Sequence, residues 1–299
     1  MRKVIIFLIP VLLMLGGFKK NKTEPGYTDK TKWKLVWSDE FNYTGHPDPE
    51  KWGYEQGYIR HNELQYYTHY RLENARVDGQ NLLIELRKET PESFVATSKN
   101  DEYHRYTAAS VNTRDLASWT YGRFEIRAKL PKGKGTWPAL WFLCPYKTPN
   151  VPGPPLPRLQ DGREDPGPDI PRAERSDYWV SRGEIDLMES WGSRPNRTTV
   201  YIHGTQGPNP SARYQHPRDI YNEFCVYAMD WYPDSINFFR DDVKILHYPK
   251  DPSTGWSFDK PMYLIMNIAC GGPDEPAPDD STLPQFMTID YVRVYELKK

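Results

Sequence analysis

The sequence contains little cysteine and no excess of either charge. Its 299 residues include three cysteines, Cys144, Cys225 and Cys270, whose spacing is not that of metal ligands. An odd number excludes a complete set of disulfides, so we expect small buried hydrophobic side chains at these positions. The net charge of -1 excludes a general nucleic-acid binder, because there is no basic excess to neutralise phosphates.

Long apolar runs are also missing. The mean hydropathy is -0.78 and residues 4–15 form one short apolar stretch, which excludes a chain with several membrane spans. Basic residues precede that stretch, a pattern typical of a secretion signal. We assign residues 1–20 to a secretion signal and 21–32 to a polar tether, and expect an exported protein without stable membrane insertion. The signal ends like that of a bacterial lipoprotein, but Phe18 stands where the lipidated cysteine belongs.

Aromatic residues, in contrast, are abundant. Ten tryptophans and 21 tyrosines exceed the need of a core of this size, since both side chains have polar groups that favour half-exposed sites. Sugar rings stack on such surfaces, which makes a carbohydrate the first candidate ligand; a tyrosine-rich β core is the alternative. Trp137 and Trp141 are four residues apart in a predicted strand and therefore share a face, where they are candidates for stacking on sugar.

Apolar periodicity indicates strands throughout. A period of two in apolar residues predicts strands at 82–87, 123–130 and 289–294. The segment 235–247 predicts a hairpin, and the nearly all-apolar run 261–269 predicts a strand buried on both faces. No stretch has sustained helical periodicity. We therefore predict an all-β fold, a sandwich of two antiparallel sheets in a single domain at 33–299.

Nine prolines predict a long inserted loop at 145–171.

Three carboxylates lie in the otherwise apolar segment 183–192. Strict alternation puts Glu184 and Asp186 on one face of a strand and Glu189 on the other, and a β-bulge around 187–188 would bring all three together. Like charges on one face raise the pKa of at least one carboxyl. Glycoside hydrolysis uses such a set, with an ionised carboxylate as nucleophile and a protonated one as acid. A solvated strand face or a calcium site is the alternative.

In its bulged form, the Glu-x-Asp-x-x-Glu pattern resembles the signature of glycoside hydrolase family 16. Further segments resemble the laminarinase-like branch of that family: 37–41, 62–67, 74–76, 121–134, 137–141, 201–204 and 290–295. The resemblance implies a β-jelly-roll with a concave cleft and retention of anomeric configuration. It also implies that Glu184 is the nucleophile, Asp186 its assistant and Glu189 the general acid/base.

The same resemblance extends to residues around the carboxylates. Arg60 and Asn62 are similar to the family's polar contacts to sugar hydroxyls, and His203 is placed to reach the acid side of the site, with a structural histidine as the alternative. Many members bind a structural calcium ion, and Glu40 and Asp290 occupy matching positions, although surface charge explains them as well. No cofactor is required for the reaction.

The substrate class follows less directly from the sequence. The layout resembles β-1,3- or β-1,3/1,4-glucanases acting inside the chain of a polysaccharide. The inserted loop at 145–171 and the segment 273–276 depart from that branch, which leaves an endo-β-galactosidase acting on algal galactan or host O-glycans as the alternative. A lectin-like binding module is the non-enzymatic alternative, and a transglycosylase would share the same intermediate. We expect a monomer with a polysaccharide as its partner.

Overall fold

The computed structural model describes residues 31–60, 62–92, 104–144, 183–204, 209–251, 253 and 255–299. The predicted signal at 1–20, most of the tether and the proline-rich segment 145–171 lie outside the described residues, so those assignments stay predictions. No helix within the described ranges is both long and apolar enough to cross a membrane.

Strands make up nearly all of the regular structure in the described part of the chain, and one short 3₁₀ helix, η1 (Asp280–Thr282), precedes the last strand. In chain order the strands are β1 (Trp33–Asp39), β2 (Thr44–Gly45), β3 (Gly53–Tyr54), β4 (Tyr66–Tyr67), β5 (Ala75–Asp78), β6 (Leu82–Lys88), β7 (Tyr106–Ala108), β8 (Ser110–Asn112), β9 (Gly122–Lys129), β10 (Thr136–Leu143), β11 (Glu184–Ser190), β12 (Arg197–His203), β13 (Ser211–Gln215), β14 (Cys225–Tyr232), β15 (Ser235–Arg240), β16 (Val243–Pro249), β17 (Tyr263–Cys270) and β18 (Gln285–Leu297).

The strands form two sheets. The large sheet has 11 strands with the central order β16-β15-β14-β9-β18-β6-β5-β2, to which β1, β7 and β4 are added. The small sheet has seven strands in the order β13-β12-β11-β10-β17-β8-β3. All pairs are antiparallel except β4 with β7, which is parallel. The predicted all-β fold of two antiparallel sheets is therefore confirmed, with this one short exception.

The core lies between the sheets and confirms the predicted strands. Phe124 and Ile126 of β9 pack in the same buried cluster as Leu140 and Phe142 of β10. Every residue of β17 is buried, as its apolar composition predicts, and β15 and β16 form the predicted hairpin. The three cysteines are free and buried, as expected. Apolar burial on this scale supplies the main driving force for the fold.

The charged residues of β9 differ from the prediction. Alternation predicts one buried face and one solvated face, yet Arg123 and Glu125 are both buried. Arg123 donates to Glu125 at 2.7 Å and to Asp230 at 2.7 Å, so the charges on this face are compensated within the protein. The sequence pattern cannot distinguish such an ion-pair cluster from a solvated face, because both consist of charged residues at every second position.

Candidate active site

A β-bulge in β11 brings the three carboxylates together, as predicted. Asp186 pairs with Tyr201 of β12 and Glu189 pairs with Thr199, so Leu187 and Met188 together oppose a single residue. Both bulge side chains are fully buried in the core between the sheets. Because two consecutive residues point into the core, the alternation shifts by one position. Glu184, Asp186 and Glu189 therefore lie on the other face of the small sheet.

Burial sets the protonation of these carboxylates. Burial, followed by the charge of Asp186, raises the pKa of Glu184 well above its usual range, while His203 and Arg60 oppose that rise. Burial raises the pKa of Asp186 to about 8. Burial and the charge of Asp186 raise the pKa of Glu189 to about 8. The three carboxyls interact strongly, so near neutral pH they share protons as a group and cannot all be ionised.

His203 lies opposite Glu184 in the pairing of β11 with β12. Its Nε2 is 3.2 Å from Asp186 Oδ2 and 3.8 Å from Glu184 Oε1, and its Nδ1 is 2.7 Å from the Asn209 amide. The histidine therefore belongs to the site, but it contacts the predicted nucleophile and its assistant rather than the predicted acid. Within the described ranges, Glu184, Asp186 and His203 also form the one group of acidic, histidine or cysteine side chains whose ligand atoms cluster within 4.8 Å.

Trp137 contacts the predicted acid directly. Its Nε1 donates a hydrogen bond to Glu189 Oε1 at 2.9 Å, which opposes the rise in the pKa of that carboxyl. The Trp137 ring is half-buried and lies 5.8 Å from the ring of Trp191, tilted by 31°. This indole keeps exposed surface beside Glu189, which suits the predicted stacking on a sugar ring.

Trp141 shares that face with Trp137, as predicted, but little of it is accessible. Only 6% of Trp141 is exposed, and the Arg60 guanidinium lies 4.9 Å from its ring centroid. Its Nε1 donates to Asn267 Oδ1 at 2.8 Å. The expectation that Trp141 stacks on sugar is therefore not supported. The ring instead supports Arg60 and Asn267, because cation–π contact and hydrogen bonding fix both groups against it.

Arg60 is held firmly beside the carboxylates. Its two terminal nitrogens donate to Glu55 at 2.8 Å and 2.7 Å, and Ser110 donates to the same carboxylate at 2.5 Å. The positive charge of Arg60 opposes the rise in the pKa of Glu184, which places it within electrostatic reach of the site. Asn62 lies in the same turn, exposed and with a φ of 52°. Their contacts to sugar hydroxyls stay predictions.

Sequence reasoning missed Asn267, which links two parts of the site. It accepts a hydrogen bond from Trp141 and donates one to the Tyr67 hydroxyl at 2.9 Å. Glu63 lies next to this group, where burial raises its pKa. The signal for Asn267 was present, since it is the one amide in the apolar run 261–269. A buried amide in such a strand needs partners, and side chains of the site supply them.

The predicted calcium residues already have cationic partners. Glu40 accepts two hydrogen bonds from Arg293, at 2.7 Å and 2.9 Å. Asp290 is fully buried and pairs with Arg127 at 2.5 Å. These carboxylates are charge-compensated without a metal ion, so the arrangement gives the calcium assignment no support.

Comparison with known proteins adds independent findings. The chain matches the model of glycosyl hydrolases family 16 over residues 175–293. A β-glucanase from Rhodothermus marinus is 40% identical, over 97% of this chain and 93% of its own length. A keratan-sulfate endo-1,4-β-galactosidase from Sphingobacterium multivorum is 31% identical, over 89% of this chain and 56% of its own length. The X-ray structure of a laminarinase from Rhodothermus marinus matches with a TM-score of 0.71 at 37% identity, over 89% of this chain and 98% of that chain.

Proposed function

Because the chain belongs to glycosyl hydrolase family 16, we propose that it is an endo-acting, retaining β-glucanase that cleaves β-1,3 or mixed β-1,3/1,4 linkages. It is a glycoside hydrolase with a jelly-roll fold, so the lectin-like alternative is set aside. The observation that carries the proposal is the bulge in β11, which gathers one buried and two partly buried carboxylates beside a partly exposed tryptophan. The Rhodothermus marinus β-glucanase and laminarinase support a glucan substrate.

The two glutamates differ in their surroundings, which supports different roles. Among the charges that act on each carboxyl, the positive Arg60 favours the ionised form of Glu184. The negative Asp274 favours the protonated form of Glu189, while Asp186 raises and His203 lowers the pKa of both. In the proposed reaction, Glu184 attacks the anomeric carbon while Glu189 protonates the leaving glycosidic oxygen. Glu189 then removes a proton from water, which hydrolyses the covalent intermediate and retains the configuration.

Asp186 and His203 support this proton distribution. Asp186 and Glu184 place carboxylate oxygens within 4.8 Å of each other, and a proton shared between them would leave negative charge available for the attack. With Asn209 donating to Nδ1, His203 carries its proton on Nε2, which faces Asp186. These groups hold the nucleophile in place. We therefore assign Asp186 the role of assisting the nucleophile Glu184, with His203 next to Asp186.

A galactan substrate remains the second candidate because of one specific relative. The Sphingobacterium multivorum enzyme is named a keratan-sulfate endo-1,4-β-galactosidase and is 31% identical. Glucose and galactose differ in the orientation of one hydroxyl, so a single changed hydrogen bond in the site can reverse the preference. The segment 273–276, which contains Asp274, lies within electrostatic reach of Glu189 and is where such a change would act.

A substrate panel tests the proposal. Purified enzyme is incubated with laminarin, barley β-glucan, agarose and keratan sulfate, and product sizes are followed from the first minutes. We expect a spread of oligosaccharides from the first two substrates and none from the galactans. Glu184→Gln protein, prepared in parallel, controls for contaminating activity. Cleavage of a galactan alone would favour the second candidate. Release of only mono- or disaccharide would contradict endo action. Products longer than the substrate from which they form would indicate transglycosylation.

Export is the second part of the proposal. It is supported by the basic and apolar residues at 1–20, and by a polymeric substrate, which has to be degraded outside the cell membrane. Expression of the full chain in a bacterial host, followed by N-terminal sequencing of the mature protein, tests this. An intact Met1 in the cytoplasmic fraction would contradict it.

A further inference from the structure

A buried arginine reaches across the core to the bulge of β11. Arg240 is the last residue of β15 in the large sheet, and only 1% of it is exposed. Its Nη2 donates to the backbone carbonyl of Leu187 at 2.7 Å, and its Nε donates to Thr198 Oγ1 at 3.0 Å. Leu187 is the bulge residue and Thr198 lies on the neighbouring strand β12. One side chain therefore binds both strands at the point where the bulge occurs.

Arg240 is unusual because no acidic side chain pairs with it in the described part of the chain. The nearby carboxylate of Asp241 pairs with Arg218 instead. Burial lowers the pKa of Arg240 to about 10. A charge taken out of water without a carboxylate partner is costly, and an apolar side chain of similar size commonly stabilises a core as well or better. Stability alone is therefore a poor explanation for this arginine.

The groups around Arg240 are arranged to accept its hydrogen bonds. Burial, with the positive charges of Arg240 and Arg218, lowers the pKa of His216 to about 3, so its ring is neutral. Thr198 Oγ1 lies 2.9 Å from His216 Nε2, and its hydroxyl oxygen also accepts the hydrogen bond from Arg240 Nε. The third nitrogen, Arg240 Nη1, donates to the backbone carbonyl of Phe239 at 3.0 Å.

The bulge explains why the backbone carbonyl of Leu187 needs a hydrogen-bond partner outside the regular pairing of the strands. In the pairing with β10, Met188 lies opposite Leu140 and Asp186 opposite Trp141, so Leu187 has no counterpart. An extra residue interrupts the regular ladder and leaves backbone groups to be satisfied elsewhere. Because side chains alternate with a period of two, loss of the bulge would turn Glu189 towards the core.

We propose that Arg240 is a positioning residue, whose guanidinium holds the bulge at Leu187 and thereby keeps Glu189 on the same face as Glu184. It touches no substrate and acts only through the backbone of β11. The prediction is specific to the acid step, because Glu184 and Asp186 precede the bulge whereas Glu189 follows it. The inference rests on the proposed role of Glu189 as general acid.

Leaving-group dependence tests this inference. We compare kcat/KM for a laminari-oligosaccharide, whose leaving group needs protonation, with that for a 2,4-dinitrophenyl β-laminaribioside, whose leaving group does not. For Arg240→Met we expect a loss of about 10²-fold on the oligosaccharide, the size of effect that a misplaced catalytic group causes, and less than about fivefold on the aryl glycoside. The milder Arg240→Lys keeps the charge but has a single donor nitrogen, and we expect the same selectivity with a smaller loss.

Arg123→Met is the matched control. Arg123 is an equally buried arginine of the large sheet, but it pairs with Glu125 and Asp230 and its described hydrogen bonds do not reach β11. We expect it to lower thermal stability without leaving-group selectivity. Equal losses on both substrates for Arg240→Met and Arg240→Lys, as for the control, would overturn the inference.

Glu189→Gln in the same assay separates the two claims. If it shows leaving-group selectivity and neither Arg240 variant does, the positioning role is wrong and the role of Glu189 stands. If Glu189→Gln itself lacks the selectivity, the proposed function of Glu189 fails. A crystal structure of Arg240→Met gives a readout without activity: an unchanged bulge would overturn the inference, and a shifted Glu189 would support it.

Discussion

Burial raises the pKa values of the carboxyls of β11, whereas other buried acidic side chains such as Glu55 and Glu125 are paired with arginines. Hydrogen bonds from neighbouring polar groups lower the pKa values of the partly exposed Asp219 and the exposed Asp251, whereas burial raises the pKa of Asp186 to about 8. The same chemical group is thus an ordinary surface anion in one place and a proton donor in another. A site that needs both an acid and an anion obtains them by placing like charges together in a buried position.

Glu184, the proposed nucleophile, gives the simplest prediction at the residue scale. We expect Glu184→Gln to lower kcat at least about 10³-fold, because the amide keeps the shape of the carboxyl but does not attack the anomeric carbon. Binding of a laminari-oligosaccharide, measured by calorimetry, should be retained. Appreciable cleavage of laminarin by the purified variant would remove Glu184 from this role.

Glu189 gives a prediction on stability. Its pKa is raised in the folded state to about 8, so the folded protein holds a proton there that the unfolded chain, with a glutamate pKa of about 4.3, has lost. This contribution to stability is complete below the unfolded pKa and is lost as the pH rises through the folded pKa. Glu189→Gln stays neutral, and its amide oxygen still accepts from Trp137.

We therefore expect Glu189→Gln to gain stability relative to the parent as the pH rises from 5 to 8, by about 1–3 kcal/mol in the free energy of unfolding. Urea denaturation at both pH values measures this difference. Glu296→Gln, at an exposed glutamate paired with Lys34, is the control and should show little change. If the free energies of unfolding of Glu189→Gln and the parent differ by the same amount at pH 5 and pH 8, the pKa of Glu189 is not raised.

At the scale of elements, the segment after β17 is held against the catalytic strand. Glu275 is buried and accepts hydrogen bonds from the backbone of Gly135, at 2.8 Å, and from both the backbone and hydroxyl of Ser193, at 2.8 Å and 2.6 Å. This anchoring keeps the adjacent Asp274 near Glu189, where its charge raises the pKa of that carboxyl.

Asp274→Asn should therefore lower the pKa of Glu189, because a nearby negative charge is removed. As the proposed general acid, Glu189 then loses its proton at a lower pH, so we expect the alkaline limb of the kcat/KM profile to move towards lower pH. The profile is measured with laminarin between pH 4 and 10. Glu296→Gln again serves as the control. An alkaline limb that does not move, or moves towards higher pH, would show that Asp274 has no such influence.

The connection between β10 and β11 gives the second prediction at this scale. Leu143 at the end of β10 pairs with Glu184 at the start of β11, so the chain leaves and returns beside the predicted nucleophile. The proline-rich segment 145–171 lies in this connection, and we expect it to shape outer sugar-binding positions without supplying catalytic groups. Replacement by a short glycine–serine linker should change product lengths or substrate preference while kcat on short oligosaccharides is retained. Identical products from both proteins would contradict this expectation.

Sequence patterns predict the strands well where one face or both faces of a strand are buried. The alternation in β9 and the apolar run of β17 both correspond to observed strands. The β-bulge was predictable because three carboxylates that act together have to share a face. What the pattern does not contain is the partner across the core, such as Arg240 for Leu187, since that contact joins positions 53 residues apart on different sheets.

The guanidinium of Arg60 over the Trp141 ring is a second contact that the sequence pattern does not predict. The position of Trp141 on the site face follows from its spacing to Trp137, but its burial depends on Arg60, which a distant turn supplies. Long-range packing of this kind decides whether a tryptophan binds sugar or supports the site. Spacing in the sequence places a side chain on a face and says nothing about what lies above it.

At the scale of the whole molecule, the two sheets have different tasks. The small sheet presents the carboxylates and Trp137 on its outer face, Arg60 reaches that face from the turn between β3 and β4, and the large sheet closes the core behind it. Arg240 is the point where the large sheet acts on the chemistry, by way of Leu187. The catalytic geometry is therefore a property of the packed sandwich, because β11 alone does not fix the bulge.

The central claim is that Glu184 forms a covalent bond to the sugar, and trapping that bond tests it most directly. The enzyme is incubated with 2-deoxy-2-fluoro-β-laminaribiosyl fluoride, which forms the intermediate but slows its hydrolysis, and is then digested and analysed by tandem mass spectrometry. Our account predicts a single fluoroglycosyl group on Glu184, absent from Glu184→Gln protein. A label on Glu189 or Asp186, or turnover of laminarin with inversion and no label, would contradict it.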